Sequence, residues 1–133
     1  NAANRDAGVQ RAVDALLFLV RPIAFGRIVD GNPVFPSLTI AFPEGLIEVQ
    51  SPPISARSPD NGGESSVMGL DRERNRLVQR LTADALVQTT WNAAGSRTTR
   101  FVPSGNGRLI LQIEVTSPRL PVPVRYTMAY QRN

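Results

Sequence analysis

Arg108-Leu-Ile-Leu-Gln-Ile-Glu-Val-Thr116 and Val122-Pro-Val-Arg-Tyr-Thr-Met-Ala-Tyr-Gln131 are the two runs on which the reading of the fold turns. In the first, Leu109, Leu111, Ile113 and Val115 share one parity, and Arg108, Gln112, Glu114 and Thr116 the other. In the second, Val122, Val124, Tyr126, Met128 and Tyr130 alternate with Arg125, Thr127 and Gln131. Side chains alternate faces along a strand, so each run describes a sheet with one apolar and one polar side.

Working outward, Arg97 to Val102 is rich in Thr and Phe, residue types that suit a pleated surface. Pro103-Ser-Gly-Asn-Gly107 can reverse the chain tightly, because Gly and Asn tolerate positive φ. Ser117-Pro-Arg-Leu-Pro121 interrupts the ladder, since neither proline donates a backbone hydrogen bond. Pro123 puts the start of the last strand at an edge, a bulge or a strand end. Arg97 to Gln131 therefore reads as three strands of an antiparallel meander.

Earlier parts of the chain extend the same pattern. Asp6 is read as the cap of a helix over 6–17, with Val9, Val13, Leu16, Leu17 and Val20 on one face. Pro22 ends it. Ile23–Val29, Val34–Phe42 and Leu46–Gln50 read as strands joined by short turns. Ser51 to Gly63, with Pro52, Pro53, Pro59, Gly62 and Gly63, reads as an irregular loop, either a lid or a solvated connection. Ser66–Leu70, Leu77–Leu81 and Ala85–Trp91 continue the meander as short strands, although Leu70, Leu77, Val78 and Leu81 also fit a helical face. The expectation is one mainly β domain over 1–133, with a short N-terminal helix and antiparallel strands across 22–132 that close into a small barrel.

At 133 residues and 41% hydrophobic, the chain is long enough to bury a core. It holds no Cys and no His, so disulfides are excluded and the usual zinc, iron and copper ligands are missing. A Ser-His-Asp triad is excluded for the same reason, and the absence of Lys removes Schiff-base chemistry. No metal and no cofactor are expected. All 15 basic residues are Arg, for a formal net charge of +4. No apolar run approaches the roughly 20 residues that span a bilayer as a helix. The chain starts at Asn1 with no initiator Met, which we read as loss of a leader; a periplasmic or secreted bacterial protein is expected, with the cytoplasm as the alternative.

Candidate chemistry is sparse. Glu48 and Glu114 lie in strands, where a carboxylate facing inward would have a raised pKa; alternation points Glu114 to solvent. Arg72, Arg74, Arg76 and Arg80 cluster with Asp71 and Glu73 and read as a solvated hairpin tip. Without interleaved aromatics the run does not favour nucleic acid. Trp91, Phe101, Tyr126, Met128 and Tyr130 could line an apolar cavity, with Arg100 or Arg125 holding an anionic head group. About eight or nine strands after a helix, linked by short reversals over Ile23–Arg132, resemble the calycin architecture of lipocalins and fatty-acid-binding proteins. The likeness rests on strand pattern alone, and it implies binding of a hydrophobic or amphipathic, lipid-like small molecule in a barrel. Two other readings stand beside it. One is an assembly subunit that binds a protein partner, or its own copies, through the N-terminal helix or a sheet edge. The other is a barrel cyclase or isomerase using Glu48, Asp84 or Tyr126.

Overall fold

The computed structural model describes residues 1–13, 32, 34–70 and 72–132. The predicted strand over Ile23–Val29 and the helical positions 14–17 lie outside them. Helix α1 (Ala2–Val13) is followed by nine strands: β1 (Thr39–Ala41), β2 (Leu46–Ser51), β3 (Ile54–Pro59), β4 (Ser65–Met68), β5 (Arg74–Leu81), β6 (Leu86–Asn92), β7 (Gly95–Ser104), β8 (Arg108–Thr116) and β9 (Val124–Gln131). Every paired neighbour is antiparallel.

Three local readings are corrected. The helix begins at Ala2, because Ala2 and Ala3 are strong helix formers and the Asn1 carbonyl accepts the Arg5 N–H at 3.0 Å. Asp6 therefore sits inside the helix and pairs with Arg5 at 2.9 Å instead of capping it. Of the strand expected over Val34–Phe42, only Thr39–Ala41 forms, since Pro36 offers no ladder donor. The loop expected over Ser51–Gly63 contains β3. There Pro52-Pro53 make a tight turn, and Ala56 and Ser58 point inward as small buried residues.

The strands form two sheets, β1-β2-β3 and β4-β5-β6-β7-β8-β9. Among the described residues neither closes into a barrel. One free edge of the large sheet is occupied by α1, which packs against β9. Asn1 brackets Ala129 with its carboxamide: Nδ2–H donates to the Ala129 carbonyl at 2.9 Å, and Oδ1 accepts the Ala129 N–H at 2.6 Å. Arg11 donates to the Arg125 carbonyl at 3.0 Å. Gly8 lies so close to β9 that a Cβ would fall 2.0 Å from the Arg125 carbonyl oxygen. The side chains and backbone of a helix thus satisfy groups that an added strand would otherwise seek.

Register follows the hydrophobic alternation. Leu109 lies opposite Tyr130, Leu111 opposite Met128, Ile113 opposite Tyr126 and Val115 opposite Val124. These residues, with Ile47, Val49 and Ala56 of the small sheet and Val9, Ala12 and Val13 of α1, belong to one core. A buried polar tie links the sheets. Gln79 is fully buried, and its Nε2 donates to the Ile47 carbonyl at 3.0 Å and to Ser58 Oγ at 2.9 Å. Its Oε1 accepts from Gln88 Nε2 at 2.8 Å. With every hydrogen-bonding atom occupied, the amide fixes the spacing and register of the sheets without an unpaired buried group.

Candidate functional site

Between the sheets lies a cleft of about 600 Å³. Its two sides are chemically unlike. Val49, Ile54 and Ala56 of the small sheet, with Phe101, Leu111 and Met128, form the apolar side. Asn75, Gln88, Thr90, Asn92, Arg97 and Thr99 form the polar side. The division follows from register. Leu86 of β6 is buried opposite Phe101, so Gln88, Thr90 and Asn92, spaced by two, must point the same way. On β7 the buried Phe101 and Thr99 bring Arg97 to the inner face by the same parity.

Among the described residues, Arg97 is the only charged residue on the cleft wall. It donates to Asn32 Oδ1 at 3.1 Å and to the Tyr126 hydroxyl at 3.2 Å. These two bonds use part of a guanidinium that carries five N–H donors. No carboxylate pairs with it among the described residues. The neighbouring polar groups are held in place. Asn92 donates through Nδ2 to Asn75 Oδ1 and accepts the Ala94 N–H at 2.7 Å. Gln88 is turned by its bond to Gln79, which leaves its carbonyl oxygen as an acceptor at the wall. Tyr130 closes one end by donating to the Phe35 carbonyl at 2.8 Å. At the other end Met68 and Leu70 are about half exposed on the rim.

Burial raises the pKa of Tyr126 above its ordinary value, partly offset by the nearby Arg97 and Arg5 charges and the Arg97 hydrogen bond. Burial likewise raises Tyr130, with Arg97 opposing and Tyr126 reinforcing the shift. Both phenols are therefore neutral hydrogen-bonding groups at neutral pH.

The residues expected to form a site are divided by the fold. Phe101, Met128 and Tyr130 reach the cleft, and Tyr126 supports it through Arg97. Trp91 lies on the opposite parity, between Arg76 of β5 and Ser96 of β7, on the outer face. Arg100 and Arg125 are also on the outer face, where Arg125 pairs with Glu114 at 2.7 Å and Arg100 with Asp84 at 3.9 Å. Arg97 was not among the expected residues, although its spacing from Phe101 marked it as inward. Of the acids considered for catalysis, Glu48 pairs with Arg57 at 3.4 Å and is bound by Gln50, and Asp84 accepts from Thr82 in a turn. No carboxylate lines the cleft among the described residues.

Among the described residues, no cluster of carboxylates could hold a metal ion, and no helix is long and apolar enough to cross a membrane. Neither a family model nor a curated protein matches the chain.

Proposed function

We propose that the cleft binds an amphipathic small molecule, with its apolar body against Val49, Ile54, Leu111 and Met128 and its polar end at Arg97. The observation that carries this reading is the half-polar lining: Asn75, Gln88, Thr90, Asn92, Arg97 and Thr99 share a cleft of about 600 Å³ with apolar side chains from both sheets, and Asn75, Gln88, Asn92 and Arg97 are held by hydrogen bonds. That size and that mixture suit a small-ligand pocket. A guanidinium with no carboxylate partner among the described residues favours an acidic or strongly accepting head group.

Each methylene withdrawn from water contributes about 0.8 kcal/mol, or about fourfold in affinity. A series of straight-chain carboxylates of increasing length, displacing a fluorescent probe, should therefore tighten about fourfold per methylene until the cleft is full. Arg97→Gln should weaken the acids by about tenfold or more, while the matching alcohols lose little. Failure of every chain to displace the probe, with the protein folded, overturns the reading.

A further inference from the structure

The outer face of the large sheet carries a second function-bearing pattern, and it stands apart from the cleft. Parity places Arg74, Arg76 and Arg80 of β5 on this face with Arg100 of β7, Arg108 of β8 and Arg125 of β9. All six are exposed. Arg11 of α1 joins them at the β9 edge, where it lines a shallow depression of about 450 Å³ together with Arg100, Arg125, Gln112 and Thr127. Carboxylates meet some of these seven guanidiniums: Glu64 lies 3.3 Å from Arg76, Asp84 is near Arg100 and Glu114 is on Arg125. The remaining described residues are nearly balanced, with six arginines against five carboxylates. The positive excess of the described molecule is therefore concentrated on one sheet face. In sequence it is scattered from Arg11 to Arg125.

The geometry of the face limits what it can take. Strands are about 4.8 Å apart, and same-face residues repeat roughly every 7 Å along a strand. Arg80 and Arg100, two strands apart on one row with Val87 between them, are thus separated by roughly 10 Å at the backbone. Trp91 lies in the adjoining part of β6, directly opposite Arg76. Thr89, Thr98 and Gln112 supply hydrogen-bonding side chains between the charges. A flat array of forked cations around one partly exposed indole matches a flexible chain of phosphates whose bases can stack. A bilayer would call for many large apolar side chains among the charges; of those prominently exposed among the described residues, Met68 sits at the β4 edge opposite Arg74, while Phe42, Leu81 and Val122 lie off this array. We propose that this face binds single-stranded nucleic acid, with the arginines on phosphates and Trp91 stacked on a base.

The chain has a single Trp, so its fluorescence reports on this face directly. Titration with a short oligothymidylate at low salt should quench Trp91 saturably. The logarithm of the binding constant should fall with the logarithm of salt at a slope of about −0.7 per phosphate contact. Arg80→Gln with Arg100→Gln should weaken binding about tenfold or more, and Arg57→Gln with Arg119→Gln, off the face, should leave it unchanged. If the first pair fails to fold by circular dichroism, Arg108→Gln with Arg74→Gln serves as the face variant. No quenching at low salt, or equal losses for the two kinds of variant, overturns the proposal. Binding of heparin or of phosphatidylglycerol vesicles without binding of the oligonucleotide also overturns it. Since the cleft is read by probe displacement on the inner face, either proposal can fail without the other.

Discussion

Gln79 shows how much one side chain can decide. It is an amide at the centre of an otherwise apolar contact between sheets, and its partners come from β2, β3 and β6. Truncation leaves a void and strips the Ser58 hydroxyl and the Ile47 carbonyl of their partner. Gln79→Ala should cost about 2–4 kcal/mol, read from the urea midpoint. Tyr126 and Tyr130 make a different prediction. Burial raises both phenols above the ordinary 10.0, so the folded chain keeps protons that the unfolded chain releases. Stability is then fully present below pH about 10 and is lost as pH rises through the higher folded values. Tyr126→Phe should flatten that decline. Because the chain has only two Tyr, tyrosinate absorbance in the folded protein should titrate above the same signal in denaturant.

At the scale of elements, α1 and β9 act as one unit. A strand edge with free N–H and C=O groups invites pairing with another chain, and here Asn1, Gly8 and Arg11 occupy it. This uses the apolar side of α1 within the chain, since Val9, Ala12 and Val13 are buried. Gly8 permits the approach. Gly8→Ala puts a methyl against a backbone carbonyl that cannot move without shifting β9, which outweighs the usual helix gain from Ala. The variant should lose about 1–3 kcal/mol in urea unfolding. Hydrogen exchange should show the loss locally, with the Ala129 amide becoming faster than its counterparts on β8.

For the molecule as a whole, the two faces of the large sheet carry separate chemistries. The inner face is apolar on β8 and β9 and largely polar on β6 and the adjoining part of β7, and the outer face holds the excess charge. Crowded guanidiniums repel one another, and salt screens that repulsion. Moderate added sodium chloride should therefore raise the unfolding midpoint slightly. Arg80→Gln, which removes one of these charges, should reduce the salt dependence, as thermal unfolding at several ionic strengths would show.

Much of this organisation is legible from alternation. Arg108–Thr116 and Val124–Gln131 specify their faces because one parity is apolar and the other is not, and a slip of one residue would expose the whole apolar set. Leu86–Asn92 specifies no face. Leu86 and Trp91 have opposite parity, and only the pairing of Leu86 with the buried Phe101 sends Trp91 outward and Gln88, Thr90 and Asn92 inward. Local pattern also missed β3, whose small alternating residues are flanked by prolines, and it missed the edge cover that keeps β9 from pairing further. By itself the sequence determined the antiparallel meander, the absence of thiol and imidazole chemistry and the all-arginine positive charge. These depend on composition and on neighbours along the chain. Only the tertiary structure decided which side of β6 meets the cleft, that Arg97 lies at its wall, and that arginines from four strands and a helix share one surface. Those properties arise from pairing between residues distant in sequence, where burial of one apolar side chain sets the direction of every second neighbour.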